Sequence, residues 1–381
     1  LLRGVIAAAV ALAVGVGVFA YLADRERETA ESARTVADAR RLAALSSSVR
    51  GDQLDLAALL AVESNRRSDE ISTRGALLAS IVTRPELREY VAQGIEAGDA
   101  TILAGSALVA FGAGEGSVVI VDAAASPATT LASIALGADD VAVRIRFVSD
   151  ELIAVADDGD RLALYDVRSG DEVVVAVGEE MSRVLSMELS PDGSALAVGD
   201  VAGGITVYDA RTLDVRTTWS ASEAGITALA FHPNGTDLLA TTEDPTLSAW
   251  RLADGSPIGE PRELLGETAA LAFDPSGTHL ALGSDPMVEI VDAATLAPTV
   301  EPFDAHGGLV YSLQWLDGGA ELMSAGEDGA VEVWDPTTGR AVRRSLVGHT
   351  ASVLAAAVAS DEDLMVTSST DGRVAVWSLA G

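Results

Sequence analysis

The chain has 381 residues, a formal net charge of −32 at pH 7 and no Cys. The absence of Cys excludes disulfides and thiolate metal sites. Its 57 carboxylates outnumber the 25 basic residues, all of them Arg, so a surface that binds the phosphate backbone of nucleic acids is not expected. A net charge this far from zero helps to keep a protein soluble.

The first predicted element is a membrane-spanning helix at residues 4–23. This stretch, GVIAAAVALAVGVGVFAYLA, contains no charged residue, and its 20 residues would make a helix of about 30 Å, the thickness of the hydrocarbon core of a bilayer. A cleaved signal peptide fits less well, because Tyr21 would occupy the −3 position of the cleavage site. We therefore assign residues 1–26 to a transmembrane helix and its flanks, and we expect a single-pass protein of the cell membrane.

The membrane helix leaves its association and its orientation open. Ala7, Ala11 and Gly15 recur every four residues, which would allow weak dimerisation through the helix. Arg3 precedes the span and several Arg residues follow it, so the side of the membrane that holds the rest of the chain is not assigned. The sequence begins at Leu1 rather than Met, from which we expect the C-terminal part of a longer protein.

Residues 27–85 are predicted to form a helical stalk and a helical hairpin. The stalk covers residues 27–49, which contain neither Pro nor Gly. The apolar residues of 53–67 recur with helical spacing, and the helix predicted over 71–84, which Pro85 ends, is their expected partner. This linker would separate the membrane from the remainder of the chain.

From residue 86 onward, short apolar strands alternate with turn residues in seven repeats. Each repeat contains three recognisable strands, and the third usually ends at an acidic residue. The residues that precede this end are Val121, Tyr165, Tyr208, Trp250, Val291, Trp334 and Trp377. Their spacing of 41 to 44 residues is typical of the four-stranded blades of a propeller.

The last two repeats carry further motifs. The last opens with Gly348-His349, and the sixth contains the dipeptide Trp334-Asp335. With these motifs the sequence resembles the WD-repeat β-propeller family. The resemblance implies that a His, a Ser or Thr, the Asp of a tight turn and the Trp of the third strand form a structural network within a blade. The matching residues are His306, Ser324, Asp328 and Trp334 in the sixth repeat and His349, Ser369, Asp371 and Trp377 in the last.

The predicted fold class is therefore an all-β seven-bladed β-propeller of the WD-repeat type over residues 86–381, preceded by the transmembrane helix and the α-helical stalk and hairpin. The last repeat ends before it can provide a fourth strand. The strand-like segment 86–93 precedes the first repeat. We predict that residues 86–93 close the last blade by pairing near Arg373–Leu379.

No residue is assigned to catalysis, to a metal or to a cofactor. The four His include no close pair of the kind that binds zinc, and His232 and His279 fall in hairpins, where exposed turn residues are expected. The sequence GAGEG at 112–116 precedes a predicted strand rather than the helix that a dinucleotide site needs. The sequence DDGD at 157–160 fits a hairpin turn better than a calcium loop.

The function predicted from this organisation is a non-catalytic protein-interaction scaffold or sensor module with an unidentified protein partner. The membrane helix and linker resemble those of large signalling proteins from high-GC bacteria, in which a regulatory or NTPase region comes first. Acidic loops are expected to favour a basic partner surface. Two alternatives remain: a ligand-binding or enzymatic propeller similar to lactonases or quinoproteins, and a periplasmic propeller similar to the TolB type.

Overall fold

The structure, a computed structural model, describes twelve stretches of the chain. They are residues 34–45, 54–67, 87–93, 99–103, 106–113, 116–124, 127–136, 142–158, 161–175, 182–343, 345–359 and 364–379. The predicted membrane span at 4–23 and the predicted helix at 71–84 lie outside these residues. No helix among the described residues is long and apolar enough to cross a membrane. Contacts within the chain divide it into two compact units, Leu1–Pro85 and Glu86–Gly381.

Two helices of the first unit pack together through small side chains. Helix α1 includes residues 34–45, and helix α2 covers Leu54–Arg67. The Ser64 hydroxyl of α2 donates a hydrogen bond to the backbone carbonyl of Ala39 in α1 at 2.8 Å, and Ala61 is fully buried. Short side chains at such a contact let two helix axes approach closely. The contact of α2 described here is therefore with residues that were predicted to form the stalk.

The second unit begins with strand β1 (Leu87–Gln93) and contains seven antiparallel sheets, which we number as blades 1 to 7. Blade 1 consists of β2 (Ala100–Ile102), β3 (Leu108–Ala113), β4 (Ser117–Asp122) and β5 (Thr129–Ala135). Blade 2 consists of β6 (Ala142–Phe147), β7 (Leu152–Asp157), β8 (Leu162–Asp166) and β9 (Glu172–Val175). Blade 3 consists of β10 (Val184–Leu189), β11 (Ala195–Asp200), β12 (Gly204–Asp209) and β13 (Val215–Ser220). Blades 4 and 5 consist of β14 (Ile226–Phe231), β15 (Asp237–Thr242), β16 (Thr246–Arg251) and β17 (Arg262–Glu263); and β18 (Thr268–Phe273), β19 (His279–Ser284), β20 (Met287–Asp292) and β21 (Phe303–Asp304). Blade 6 consists of β22 (Val310–Leu316), β23 (Glu321–Gly326), β24 (Ala330–Asp335), β25 (Arg340–Ala341) and β26 (Leu346–Val347), and blade 7 consists of β27 (Val353–Val358), β28 (Leu364–Ser369), β29 (Arg373–Ser378) and β1.

The first strand of each blade faces the centre of the unit. These strands, β2, β6, β10, β14, β18, β22 and β27, contact one another in that order, and β27 in turn contacts β2. A closed ring of antiparallel sheets around a central channel is a β-propeller. The predicted seven-bladed all-β fold is therefore confirmed for this unit.

Apolar side chains between neighbouring blades form the core of the ring. Five of the six residues of the inner strand β14 are buried, whereas none of the outermost strand β13 is. An inner strand is covered by neighbouring blades, so most of its residues are apolar. Between blades 1 and 2, the fully buried Ile120 and Ile134 belong to one cluster with Ile145 and Ile153. Full burial of a side chain of this size stabilises the fold by about 1.5–3 kcal/mol.

The last blade is completed by the strand that begins the unit. Strand β1 pairs antiparallel with β29, with Leu87 opposite Trp377 and Gln93 opposite Arg373. The Tyr90 hydroxyl also donates to the backbone carbonyl of Gly348 at 3.0 Å. The edge of β29 is thereby covered, which removes an unpaired strand from the end of the chain.

The outermost strands of blades 4 to 6 are short. Strands β17, β21 and β25 have two residues each, and β24 pairs with both β25 and β26. Single bridges join Trp250 to Pro257 and Val291 to Pro298 before the short strands of blades 4 and 5. Proline lacks the N–H that continues a ladder, so pairing is interrupted there.

Loops at the two rims of the ring define its two faces. We call upper face the rim that holds the turns between second and third strands and the connections from one blade to the next. The lower face holds the hairpins between first and second strands and between third and fourth strands. Each inner strand therefore runs from the upper face to the lower face.

Candidate functional site: buried histidine networks and the charged channel wall

The four residues named for blade 6 form one hydrogen-bonded network. His306 Nδ1 lies 2.9 Å from Asp328 Oδ1, and His306 Nε2 lies 2.8 Å from Ser324 Oγ. The indole Nε1 of Trp334 donates to the same Ser324 Oγ at 2.8 Å. The network joins the connection before the inner strand to the second strand, the following turn and the third strand.

Blade 7 contains the same network with a different hydroxyl from the one predicted. His349 Nδ1 lies 3.1 Å from Asp371 Oδ2, but His349 Nε2 lies 2.7 Å from Thr367 Oγ1 rather than beside Ser369. Trp377 Nε1 donates to Thr367 Oγ1 at 2.8 Å. The prediction of Ser369 as the network hydroxyl is therefore wrong.

The reason for this correction lies in the period of a strand. Thr367 and Ser369 are two residues apart in β28, so their side chains lie on the same face and sequence pattern alone does not separate them. Thr367 precedes Trp377 by ten residues, as Ser324 precedes Trp334 in blade 6. Ser369 lies closer to the turn, where its hydroxyl donates to the Ala351 carbonyl at 3.1 Å and accepts from the Asp371 N–H at 3.1 Å.

One set of proton positions satisfies every group in each network. An indole N–H can only donate, so the hydroxyl oxygen accepts from Trp and the hydroxyl hydrogen points to Nε2 of the His. Nε2 is then the acceptor, and the protonated Nδ1 donates to the Asp. A neutral imidazole with its proton on Nδ1 therefore completes the chain from Trp to Asp.

Hydrogen bonds keep both network carboxylates ionised. Burial opposes the charge of Asp371, but the hydrogen bonds from His349 and from the backbone N–H of Thr350 outweigh it and lower the pKa of the Asp371 carboxyl. The pKa of Asp328 is lowered in the same way, with burial opposed by His306 and by a backbone N–H. The side chain of Asp371 is only 3% exposed and that of Asp328 is 35% exposed. The negative charge of Asp371 therefore depends more on its hydrogen bonds, because less water reaches it.

The order hydroxyl, His, Asp is also that of a nucleophilic catalytic triad. A nucleophile must reach its substrate, yet Ser324 and Thr367 are both fully buried. Each of these hydroxyls also already accepts the N–H of a Trp side chain. The two networks are therefore arranged to hold strands together.

The two remaining His residues differ in their surroundings. His232 was expected to be an exposed turn residue, but its Nε2 lies 3.1 Å from the carbonyl oxygen of Gly277 in the next blade. Its ring also packs against Phe273, with centroids 4.8 Å apart. The side chain of His279 is 44% exposed, as a hairpin position predicts. Within the described part of the chain, no group of three or more His, Asp or Glu side chains is placed to hold a metal ion.

Charged side chains on the channel wall of blades 1 to 3 were missed by the sequence analysis. Arg146 Nη1 lies 2.8 Å from Asp99 Oδ2, and Arg146 Nε lies 3.6 Å from Glu188 Oε2. The Asp99 carboxylate also accepts the backbone N–H of Ile145 at 2.9 Å. The available signal was the sequence AVRIRF of β6, which places two Arg in a strand that is otherwise apolar.

Exposed carboxylates gather on the upper face of blades 4 to 6. We call Glu243, Glu267, Asp285 and Glu327, all exposed, the upper-face acidic cluster. Burial and the negative charges of three of them raise the pKa of Tyr311, so these carboxylates act on one point of the inner strand β22. Leu265, 75% exposed, lies in the same connection as Glu267.

Two family profiles match parts of the ring. The profile described as "WD domain, G-beta repeat" matches residues 298–335 and 340–378, which contain both histidine networks. The profile described as "Anaphase-promoting complex subunit 4 WD40 domain" matches residues 148–234, in blades 2 to 4. The matches therefore cover the two repeats that contain the histidine networks and also parts of blades 2 to 4.

Several curated proteins are similar to this chain. The U3 small nucleolar RNA-associated protein 4 homolog of Homo sapiens is 25% identical over 193 residues, 48% of this chain and 28% of that protein. Protein groucho of Drosophila melanogaster is 23% identical over 229 residues, 60% of this chain and 31% of that protein. Apoptotic protease-activating factor 1 of Danio rerio is 23% identical over 215 residues, 56% of this chain and 17% of that protein.

These alignments span less than a third of each relative, so they compare this chain with only a part of those proteins. What the comparison adds is the repeat type. The WD40 matches, together with the seven-bladed ring and the two histidine networks, support a WD-repeat propeller.

Proposed function

We propose that this propeller is a non-catalytic scaffold or sensor module that binds a protein partner through its upper face. The observation that carries the proposal is the upper-face acidic cluster beside the exposed Leu265. An exposed apolar side chain in the same connection as one of these carboxylates suits a partner with basic residues around an apolar contact. The similarity to WD-repeat proteins adds support, because a rigid ring can present its loops without changing shape.

The test compares the full chain with two charge variants. The upper-face variant carries Glu243→Gln, Glu267→Gln and Asp285→Asn, and the lower-face control carries Asp150→Asn, Glu151→Gln and Asp171→Asn, which are also exposed carboxylates. Proteins captured by each immobilised chain are quantified at low and at physiological ionic strength. We expect a specific set to be captured by the wild type and the control, lost from the upper-face variant and weakened by salt.

Equal capture by all three chains would contradict binding at the upper face. Capture that does not change between low and physiological salt would contradict the preference for a basic partner. Capture of nothing specific by the wild type would contradict the scaffold proposal itself.

We further propose that residues 4–23 anchor the propeller to a cell membrane as part of a larger bacterial signalling protein. The support is the uncharged run of 20 residues and its resemblance, with the linker, to such proteins. Protease treatment of intact cells tests the anchor and its orientation. Release of the propeller by a carbonate wash, without detergent, would contradict the anchor.

A further inference from the structure

A groove on the outer side of the ring separates blades 3 and 4, and we call it the blade 3/4 groove. The end of β13 forms one wall, and β16 with the chain that follows it forms the other. The groove encloses about 300 Å³ and is open to solvent on one side. No charged side chain lines it, and its walls include Trp219, Ser248, Ala249, Trp250, Pro257 and Pro261.

The groove exists because the outermost chain of blade 4 leaves its sheet. Pro257 forms a single bridge with Trp250, and pairing along β16 resumes only at the short strand β17. Proline has no N–H with which to continue a ladder, and Pro257 and Pro261 stand at the two ends of this gap. Residues 259–261 therefore leave part of the edge of β16 uncovered.

One backbone donor faces the uncovered edge. The Ala249 carbonyl accepts the N–H of Ile258 at 2.7 Å, so the backbone groups of Ala249 face the outside of the sheet. The N–H of Ala249 points the same way, yet no acceptor for it is found among the described residues. Ala249 lines the groove and is only partly buried. A backbone N–H without a partner favours an incoming acceptor.

The indole of Trp219 is a second donor without a partner. Its Nε1 is shielded from water and has no acceptor in the part of the chain that the structure describes. The Trp219 ring packs against Trp250, with centroids 6.3 Å apart and planes inclined by 46°. Gly255 makes room for the ring, because a Cβ at Gly255 would lie 2.9 Å from it. Packing alone therefore positions the indole, since no hydrogen bond fixes it.

The groove thus combines a flat apolar surface with two donors that lack acceptors. A proline residue provides a flat apolar ring and a carbonyl acceptor but no N–H, so it brings no further donor to the site. Proline-rich segments are already ordered as extended polyproline II helices, and they dock in grooves lined by aromatic side chains. The absence of charge from the walls of the groove also matches proline, which is uncharged.

We propose that the blade 3/4 groove binds a proline-rich extended segment of a protein partner. A ring of the segment packs on the Trp219 indole. Carbonyl groups of the segment accept the N–H of Ala249 and, after the indole turns, that of Trp219. The volume of about 300 Å³ has room for only a few residues, so the site binds a short motif. It shares no residue with the upper-face acidic cluster, so this proposal and the proposed function can fail separately.

The test measures binding of a decaproline peptide to the full 381-residue chain by calorimetry. A Gly/Ser peptide of equal length is the control ligand, because it is flexible, lacks rings and carries an N–H in every residue. The test variant Trp219→Ala removes the aromatic wall of the groove. The matched control variant Val173→Ala removes a 52% exposed apolar side chain from the outermost strand of blade 2, which does not line the groove.

We expect decaproline to bind the wild type in a 1:1 ratio with a Kd below about 1 mM, and the Gly/Ser peptide not to bind at that concentration. The Kd should rise about tenfold or more in Trp219→Ala and stay unchanged in Val173→Ala, since aromatic anchors carry much of the binding energy of an interface. In NMR spectra of the wild type, the indole N–H resonance of Trp219 should shift as it gains a carbonyl acceptor, while those of Trp334 and Trp377 stay in place.

Absence of decaproline binding at millimolar concentration overturns the proposal, and so does equal binding of the Gly/Ser peptide. An unchanged Kd in Trp219→Ala, or an equal loss in Val173→Ala, overturns binding in the groove. If Trp219→Ala does not fold, Trp219→Phe provides the second measurement, because it keeps an aromatic ring but removes the indole N–H. A raised Kd for Trp219→Phe supports the proposal, and an unchanged Kd overturns it.

Discussion

The hydroxyl of Thr367 illustrates how much one buried side chain contributes to a blade. It accepts the indole N–H of Trp377 and lies 2.7 Å from His349 Nε2, so it satisfies two polar groups that have no access to water. Ser324 does the same in blade 6. Leaving a buried polar group without a partner costs about 1–3 kcal/mol, whereas a satisfied hydrogen bond contributes only about 1 kcal/mol. The networks therefore stabilise the blades chiefly because removal of one member leaves another buried polar group without a partner.

Substitution of Thr367 tests which hydroxyl belongs to the histidine network of blade 7. Thr367→Val keeps the shape but removes the hydroxyl, so we expect a loss of about 1–3 kcal/mol of unfolding free energy in urea denaturation. The indole N–H resonance of Trp377 should shift in the same variant, while that of Trp334 stays in place. Ser369→Ala is the matched control and should leave the Trp377 resonance unchanged. A shift caused by Ser369→Ala and not by Thr367→Val would restore Ser369 as the network hydroxyl.

At the scale of elements, the strand β1 joins the two ends of the propeller. It contributes backbone pairing along β29, and its Tyr90 ring lies against two residues of blade 7: the His349 ring is 6.4 Å away between centroids, and the Arg373 guanidinium is 5.0 Å above the Tyr90 ring. The histidine network of blade 7 is therefore in contact with the closing strand. Blade 6 holds the same network without such a contact among its described residues. Loss of the closing strand β1 should therefore also destabilise the histidine network of blade 7.

Replacement of residues 86–93 by a Gly/Ser segment of equal length tests this closure. Leu87, Tyr90 and Val91 would lose partly buried contacts, each worth about 1 kcal/mol or more, and β29 would lose its partner. We expect the unfolding free energy to fall by about 3 kcal/mol or more, with a clear drop in the melting temperature. The control replaces Glu172–Val175 in β9, which is the outermost strand of blade 2 and does not join the two ends of the propeller. A loss in the control as large as that in the test variant, or an unchanged melting temperature, would count against closure by β1.

At the scale of the whole molecule, opposite charges are separated across the ring. Carboxylates gather on the upper face of blades 4 to 6, while the Arg146 guanidinium lies between Asp99 and Glu188 of the neighbouring blades. Both arrangements depend on bringing residues from several blades together.

The dependence of stability on pH follows from the network carboxylates. The pKa of Asp371 is lower in the folded chain than in the unfolded chain, where an Asp titrates near about pH 4. The contribution of Asp371 to the free energy of unfolding is therefore complete above the unfolded-state pKa, and it is lost as the pH falls through the lower, folded-state pKa. We expect Asp371→Asn to reduce the unfolding free energy at pH 7 by about 1–3 kcal/mol. The difference from the wild type should shrink below about pH 4.

The comparison between variants is needed because the net charge also changes with pH. Protonation of the 57 carboxylates relieves repulsion in acid and acts in the opposite direction on the chain as a whole. Asp150→Asn, at an exposed turn, should differ little from the wild type at any pH and serves as the control. A difference between Asp371→Asn and the wild type that stays constant from pH 7 to pH 3 would contradict the role of the ionised Asp371.

Much of the fold could be predicted because its signals are local. The spacing of 41 to 44 residues between third strands gives the number of blades, and turn residues mark each hairpin. The same local signals left Thr367 and Ser369 indistinguishable, since both lie on one face of β28. The contact of α2 with α1 was not predicted, because small residues such as Ala39 and Ser64 give no pattern that marks a helix contact, and the predicted contact with 71–84 lies outside the described residues.

The sequence by itself determined that the chain forms seven blades, that its final strand lacks a neighbour and that residues 86–93 are available for that place. These features depend on periodicity and on the order of elements along the chain. Only the tertiary structure decided which charged and hydroxyl groups meet. Arg146 lies 47 residues from Asp99 and meets it because neighbouring blades pack together, whereas Tyr90 lies 258 residues from Gly348 and meets it because the ring closes. Contacts of this kind are set by packing between blades, and no spacing along the chain encodes them.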